Sequence, residues 1–263
     1  MAETTHISWA DSTLNVWMGC TKVSNGPQGA CEGCYAQVLV EDRFGRAAWG
    51  PHAERVETKG WRAQLRKISR LALAAGRPWF VFVNSLSDFW DNQADPALRA
   101  AALAAFEEHP HLTFLLLTKR PQNIYRLHAQ AASPPLTPSV RSWPRNAAIG
   151  FTAVTQAEMD RDAKHALAAY HALGAAFLFW SGEPLMEHIV LPPELLALGG
   201  RFWAITGGET DQGSHKARET PDGAFESLMA QCAAAGVPFH LKQMTKKRPI
   251  PAHLQIQERP NVA

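Results

Sequence analysis

The 263-residue chain is 46% hydrophobic and 19% charged, which is enough apolar material for a sizeable core and is read as one domain over 1–263. A formal net charge of +2 excludes a strong overall pull toward nucleic acid or an anionic membrane. No apolar run approaches the roughly 20 residues that span a bilayer, and the N-terminus has neither the basic nor the apolar region of a signal peptide. A cytoplasmic protein with reduced thiols and no membrane partner is expected.

The first strand-like stretch, "STLNVW" (12–17), leads directly into "MGCTKVSNGPQGACEGCYAQ" (18–37), which holds three of the four cysteines: Cys20, Cys31 and Cys34. "CYAQVLVEDRFG" then reads as a helix beginning at Cys34, whose dipole favours thiolate over thiol. Six further strand-like runs follow: "WFVFV" (79–83), "LTFLLL" (112–117), "AAIGF" (147–151), "AFLFW" (176–180), "RFWAI" (201–205) and "VPFHL" (237–241). Most are continuous apolar runs, the pattern of parallel strands covered on both faces.

Helices are expected between them. "DPALRAAALAAFEEH" (95–109) opens with an Asp cap and a Pro at the first helical position. "TQAEMDRDAKHALAAYHALG" (155–174) has the Thr155/Glu158 spacing of a capping box and stops at Gly174. "TPDGAFESLMAQCAAAG" (220–236) also ends in Gly. The segment 121–146 carries a Pro/Ser-rich loop but no second domain. Strands alternating with helices predict an α/β fold, a complete or partial (β/α) barrel of TIM type rather than an open doubly wound sheet.

A polar cluster follows each strand: "NSLSD" (84–88), "TKRP" (118–121), "TAVT" (152–155), "SGEPL" (181–185), "TGGETDQG" (206–213) and "KQMTKK" (242–247). Turns account for part of this. In a parallel barrel, however, all these ends share one rim, where such enzymes place their sites. Asp88, Lys119, Arg120, Glu183, Glu209 and Lys242 are therefore expected to face one pocket.

Cys31 and Cys34, in a CxxC turn, can reach one metal or cluster, and Cys20 can supply a third sulfur across a flexible loop. Three thiolates with an open position suit a centre that must bind something else, whereas four protein ligands close a structural site. Soft thiolates select zinc, copper(I) or iron–sulfur clusters. A structural zinc completed by His6 or His52 is the alternative reading of the same residues. Cys232, among small apolar residues, is read as core. The Trp residues near these segments, Trp9, Trp17, Trp61 and Trp90, are read first as core packing.

"NVWMGCTKVSNGPQGACEGCYA", "VFVNSLSDFW", "LLLTKRP", "WSGEPL", "AITGGETDQG" and "AAAGVPFHLKQ" stand in the same order in a bacterial and phage family of three-cysteine, radical-SAM-like proteins. The chain resembles that family over roughly 12–245, with "NGPQGA" as a small insertion, and the family is distantly similar to spore photoproduct lyase. The resemblance implies a [4Fe–4S] cluster bound by Cys20, Cys31 and Cys34, its fourth iron chelated by S-adenosyl-L-methionine (AdoMet). It further implies reductive cleavage to a 5′-deoxyadenosyl radical that abstracts a substrate hydrogen, an electron donor such as flavodoxin or ferredoxin, and a nucleotide or nucleic acid as the substrate to consider.

Under that resemblance Ser85, Ser87 and Asp88 are assigned to the methionine ammonium, Lys119 or Arg120 to its carboxylate, and Thr152 to the ribose hydroxyls. Glu183 and Glu209 are assigned to ribose, adenine or substrate. Gly207 and Gly208 are expected to allow close backbone approach. Lys242 and Gln243 complete the rim, and the run Lys246, Lys247, Arg248 is read as solvated surface. No catalytic residue is assigned. Two other functions stay open: a zinc-stabilised nucleic-acid-binding protein, and a barrel enzyme for a phosphorylated small molecule in which the cysteines are incidental.

Overall fold

The computed structural model describes residues 4–23, 26, 28–132 and 142–262; most of the Pro/Ser-rich loop and part of "NGPQGA" lie outside the described residues. Its centre is a seven-stranded, all-parallel sheet in the order β1 (Ser12–Leu14), β4 (Trp79–Val83), β5 (Leu112–Thr118), β6 (Ala147–Thr152), β7 (Leu178–Gly182), β8 (Phe202–Thr206) and β9 (Phe239–Leu241). All seven expected strands are present. The first is shorter than expected, because the chain leaves the sheet at Asn15. It then forms a small antiparallel pair, β2 (Trp17–Met18) with β3 (Val56–Glu57). The amide of Asn15 turns sideways instead, donating to Ser85 Oγ (3.1 Å) and accepting from Leu86 N (2.8 Å).

Adjacent strands are joined by helices, among them α2 (Trp61–Ala75), α3 (Pro96–Glu107), α4 (Ile124–Ala131), α5 (Gln156–Leu173), the short α6 (Pro193–Leu196) and α7 (Ala224–Ala235). The Asp95 side chain caps α3 by accepting from Ala97 N at 2.8 Å. In α5 the Thr155 hydroxyl accepts from Glu158 N, while the Glu158 carboxylate reaches one residue further back, to Val154 N at 2.8 Å. The third expected helix starts only at Ala224, behind Gly223 in the left-handed conformation.

The strands' period of two divides their side chains between two separate cores. Val81, Val83, Phe114, Leu116, Ile149, Phe151, Leu178 and Trp180 pack outward beneath the helices. Phe80, Phe82, Leu115, Ala148, Phe179, Trp203 and Ile205 gather on the concave side with Trp9. At Gly150 a Cβ would stand 2.1 Å from the Phe179 ring, so the missing side chain makes room for that ring.

β1 and β9 do not pair, so the barrel is partial. Both termini cover the gap. Residues 256–258 run antiparallel along β9, with Leu241 N donating to Ile256 O (2.9 Å) and Glu258 N to Phe239 O (3.0 Å). Arg259 then crosses to the N-terminal segment, pairing with Asp11 (3.0 Å) and donating to Ser8 O (3.1 Å). Among the described residues, no helix is long and apolar enough to cross a membrane.

Candidate functional site

Continuing the concave-side register beyond the apolar residues puts polar residues at the C-terminal strand ends: Phe82 gives way to Asn84, Leu117 to Lys119, and Phe179 to Ser181 and Glu183. These ends open into a cavity of about 570 Å³. Cys20, Cys31 and Cys34 border it, and so do Ser85, Ser87, Asp88, Lys119, Arg120, Thr152, Glu183, Glu209, Lys242 and Gln243. Every residue assigned to the rim from sequence is thus in one place.

All three cysteines are free thiols. Cys20 follows Gly19, whose φ of +97° and close neighbours, Ala48 O and Glu54 O at 3.3 Å from a would-be Cβ, require glycine. The Cys20 sulfur receives Arg120 Nη1 at 3.7 Å. Burial, together with the Asp88 carboxylate, pushes its thiol up to about 12 against the pull of Arg120. Cys31 is buried and its sulfur accepts from Val23 N at 3.4 Å. Cys34 is the N-cap of α1 (Tyr35–Gln37), which continues as a π-helical turn over Val38–Arg43, so the expected helix does begin at this cysteine. Tyr35 is 43% exposed, but toward the cavity, and its hydroxyl donates to Ser85 O.

Asp88 serves the protein itself. One carboxylate oxygen accepts from Trp90 N (2.9 Å) and Thr118 Oγ1 (2.7 Å), the other from Lys119 N (3.0 Å) and Arg120 Nη1 (3.0 Å). Four internal donors fill the positions a ligand ammonium would need. Arg120 is similarly committed to Asp88, Thr21 O and the Cys20 sulfur. The Ser87 hydroxyl donates to Trp17 O, and that of Ser85 exchanges bonds with Asn15. Lys119 is different: its ammonium has no hydrogen bond or ion pair among the described residues. Enclosure opposes its charge, but Cys31, Cys34, Asp88 and Cys20 together more than compensate and raise its pKa.

Across the cavity, Glu183 accepts from Trp9 Nε1 (2.9 Å) and Ser181 Oγ (3.1 Å) and pairs with Lys242 at 2.6 Å. Glu209, only 7% exposed, is held by Arg218 through its backbone N (2.8 Å), Nε (2.9 Å) and Nη2 (2.6 Å), with His215 Nε2 3.2 Å away. Burial opposes ionisation of Glu209, but the Arg218 bonds outweigh it and hold the carboxyl below its usual range. Arg218 also donates to Gly29 O (3.3 Å), and the His215 ring lies against Gly33. The segment after β8 therefore clamps the CxxC turn. Sequence reasoning missed Arg218 and His215 because neither stands directly after a strand; the polar content of 209–218 was the available signal.

Among the described residues, no three Cys, His, Asp or Glu side chains are grouped as ligands of one metal ion. His6 borders the cavity, whereas His52 does not. Cys232, on the buried face of α7, is fully enclosed, and burial pushes its thiol up to about 12.

A family model described as Protein of unknown function (DUF5131) matches residues 4–258. The chain belongs to this family. The DUF5131 match takes in the cysteine loop and every rim segment. No curated protein matches this DUF5131 member. Two solved structures of spore photoproduct lyase mutants do. One, with bound AdoMet and dinucleoside spore photoproduct, is 11% identical with a TM-score of 0.51, over 89% of this chain and 76% of that one. The other is 12% identical with a TM-score of 0.52, over 90% and 77%. At this identity the likeness is one of fold: the DUF5131 chain has a partial barrel of TIM type, as expected from its sequence, and shares it with these structures.

Proposed function

We propose that this protein is an AdoMet-dependent radical enzyme with a [4Fe–4S] cluster held by Cys20, Cys31 and Cys34. The observation that carries this reading is the opening of three free thiols into one cavity at the strand ends of a parallel half-barrel. The donor set fits. Three thiolates are the ligands such a cluster takes, one on each of three irons, which leaves the fourth iron open. When bound, the cluster would supply the electron that splits the AdoMet sulfonium into methionine and a 5′-deoxyadenosyl radical.

The chain's own residues would bind and orient. Lys119, a cation enclosed among the three cysteines, is suited to the cosubstrate carboxylate. Ser85 and Ser87 stand beside Cys20 and Tyr35 and offer oxygen acceptors to its ammonium. Thr152 and Glu183 lie farther round the rim, within the same cavity, and are suited to ribose or adenine. Asp88 and Arg120 take a supporting part, fixing the Cys20 sulfur and the backbone of Lys119. Glu209 supports the CxxC turn through Arg218. A one-electron donor such as flavodoxin or ferredoxin would be required.

Anaerobic purification followed by iron and sulfide analysis tests this reading. About four of each per chain, a brown protein, and 5′-deoxyadenosine after addition of AdoMet and dithionite are expected. Cys→Ala at 20, 31 or 34 should abolish iron binding, and Cys232→Ala should not. A colourless protein with one tightly held zinc would overturn it.

A further inference from the structure

The charged groups around the cavity do not balance. Its carboxylates are Glu32, Asp88, Glu183 and Glu209. Three are neutralised within the protein: Asp88 by Arg120 (3.0 Å), Glu183 by Lys242 (2.6 Å) and Glu209 by Arg218 (2.6 Å). Lys22, Lys119 and Lys247 also border the cavity, and none has an ion pair among the described residues. Three cations therefore border a cavity of about 570 Å³ against one remaining carboxylate, Glu32; Lys247 stands exposed at its edge, in keeping with the solvated run expected there. The cofactors proposed above do not remove the surplus. An oxidised cluster with three thiolates carries one net negative charge and AdoMet one net positive charge, so the two cancel.

The backbone presents one of these lysines at some cost. In the run Lys246, Lys247, Arg248, the first and third pair with the same carboxylate, Glu219, at 3.3 and 2.5 Å. Lys247 between them does not. Lys246 and Lys247 are consecutive non-glycine residues in the left-handed region, with φ of 57° and 55°, a conformation kept only where its surroundings over-determine it. Here they do. Gly208 N donates to Gln243 O (2.8 Å), Gln243 Nε2 returns to Gly208 O (2.8 Å), and Lys246 N donates to Glu209 O (2.8 Å). A Cβ on Gly208 would stand 2.1 Å from Thr245 N, so the turn sits directly on the glycine backbone. This packing leaves Lys247 at the cavity while its two neighbours point to Glu219.

We propose that Lys22 and Lys247 form an anion subsite at the mouth of the cavity, which takes a phosphate group of the substrate. Its position as a substrate subsite rests on the reading above; the charge surplus does not. The chemistry recognised is a phosphate ester, carried either by a mononucleotide or by an oligonucleotide strand.

Titrations of the full-length protein as purified, at two salt concentrations, test the subsite. The probes are uridine, uridine 5′-monophosphate and a 5′-phosphorylated tetrauridylate, which avoid competition for an adenine site. At least one phosphorylated probe should bind ten-fold or more tighter than uridine, and added salt should weaken it. The better probe identifies the phosphate's source. Lys22→Met/Lys247→Met should lose ten-fold or more in affinity, Lys22→Arg/Lys247→Arg should retain most of it, and Lys246→Met should stay within two-fold of the parent. Equal binding of uridine and both phosphorylated probes, no binding of either phosphorylated probe, or an unaffected double Met variant overturns the proposal. Iron content and 5′-deoxyadenosine formation are measured separately, so phosphate binding by anaerobically purified protein that holds no iron would sink the radical reading and leave the subsite standing.

Discussion

The His215 ring fills the space that a side chain at position 33 would occupy: a Cβ built on Gly33 lies 2.2 Å from His215 Cδ2. Gly33, with φ of +56°, is the residue just before Cys34. A rim segment that follows β8 therefore sets the position of a turn that follows β2, across the mouth of the half-barrel. Cys31 and Cys34 are placed by this contact and by the Arg218–Gly29 bond, and Cys20 separately by Arg120.

Gly33→Ala should break that relationship. The new methyl must displace His215 and adopt an unfavourable φ, so a loss of about 2 kcal/mol in urea unfolding is expected. In metal-free protein, alkylation of Cys31 and Cys34 followed by mass spectrometry should accelerate several-fold, with Cys20 little changed. Arg218→Gln should reproduce the pattern, because it frees Gly29 and leaves the Glu209 carboxylate without its main partner.

Asp88→Ala should be more damaging than its position in a cavity wall implies. It leaves Trp90 N, Thr118 Oγ1 and Lys119 N without their acceptor and the Arg120 guanidinium without its carboxylate. Removing one member of a buried ion pair costs about 3–5 kcal/mol, and chemical denaturation should show a loss in this range. A loss under about 1 kcal/mol would mean that Asp88 is free for a ligand after all.

Gly208→Ala places a methyl against the Thr245 backbone, which cannot rotate away as a flexible side chain would. A destabilisation of about 2–3 kcal/mol is expected. Gly200→Ala, where a Cβ meets nothing within 4 Å, should stay close to the parent when both are compared by urea unfolding.

Acid should weaken the join between the termini. His240 sits under this join with Ser8 Oγ 2.8 Å from its Nε2, and burial lowers its pKa from 6.5 to about 4, against the pull of Glu183. The unfolded chain takes up this proton near 6.5 and the folded chain only near 4. The contribution is thus complete above pH 6.5, shrinks as pH falls from 6.5 to 4, and is gone below. Its size is at most about 3 kcal/mol. His240→Gln should flatten stability against pH in this window, measured by urea unfolding at several pH values.

Seven strands could be read from short apolar runs because both faces of each strand are buried, and burial on both faces leaves a continuous signature in the chain. The same register explains why a polar cluster after each strand pointed to the rim: in a parallel half-barrel every C-terminal strand end faces one side. The membership of the site was therefore local information, carried by each strand and the few residues after it. What those residues do to one another was not. Asp88 looks like a ligand acceptor until Thr118, Lys119 and Arg120, about thirty positions later, fill its oxygens; Glu209 is claimed by an arginine on a returning loop; and Lys247 differs from its two neighbours only in facing the cavity instead of Glu219. The partial closure of the barrel also depends on distant partners, Arg259 and Asp11. Strand pattern and residue type follow from nearest neighbours along the chain, whereas hydrogen-bond and charge pairing is a competition among groups that only folding brings together.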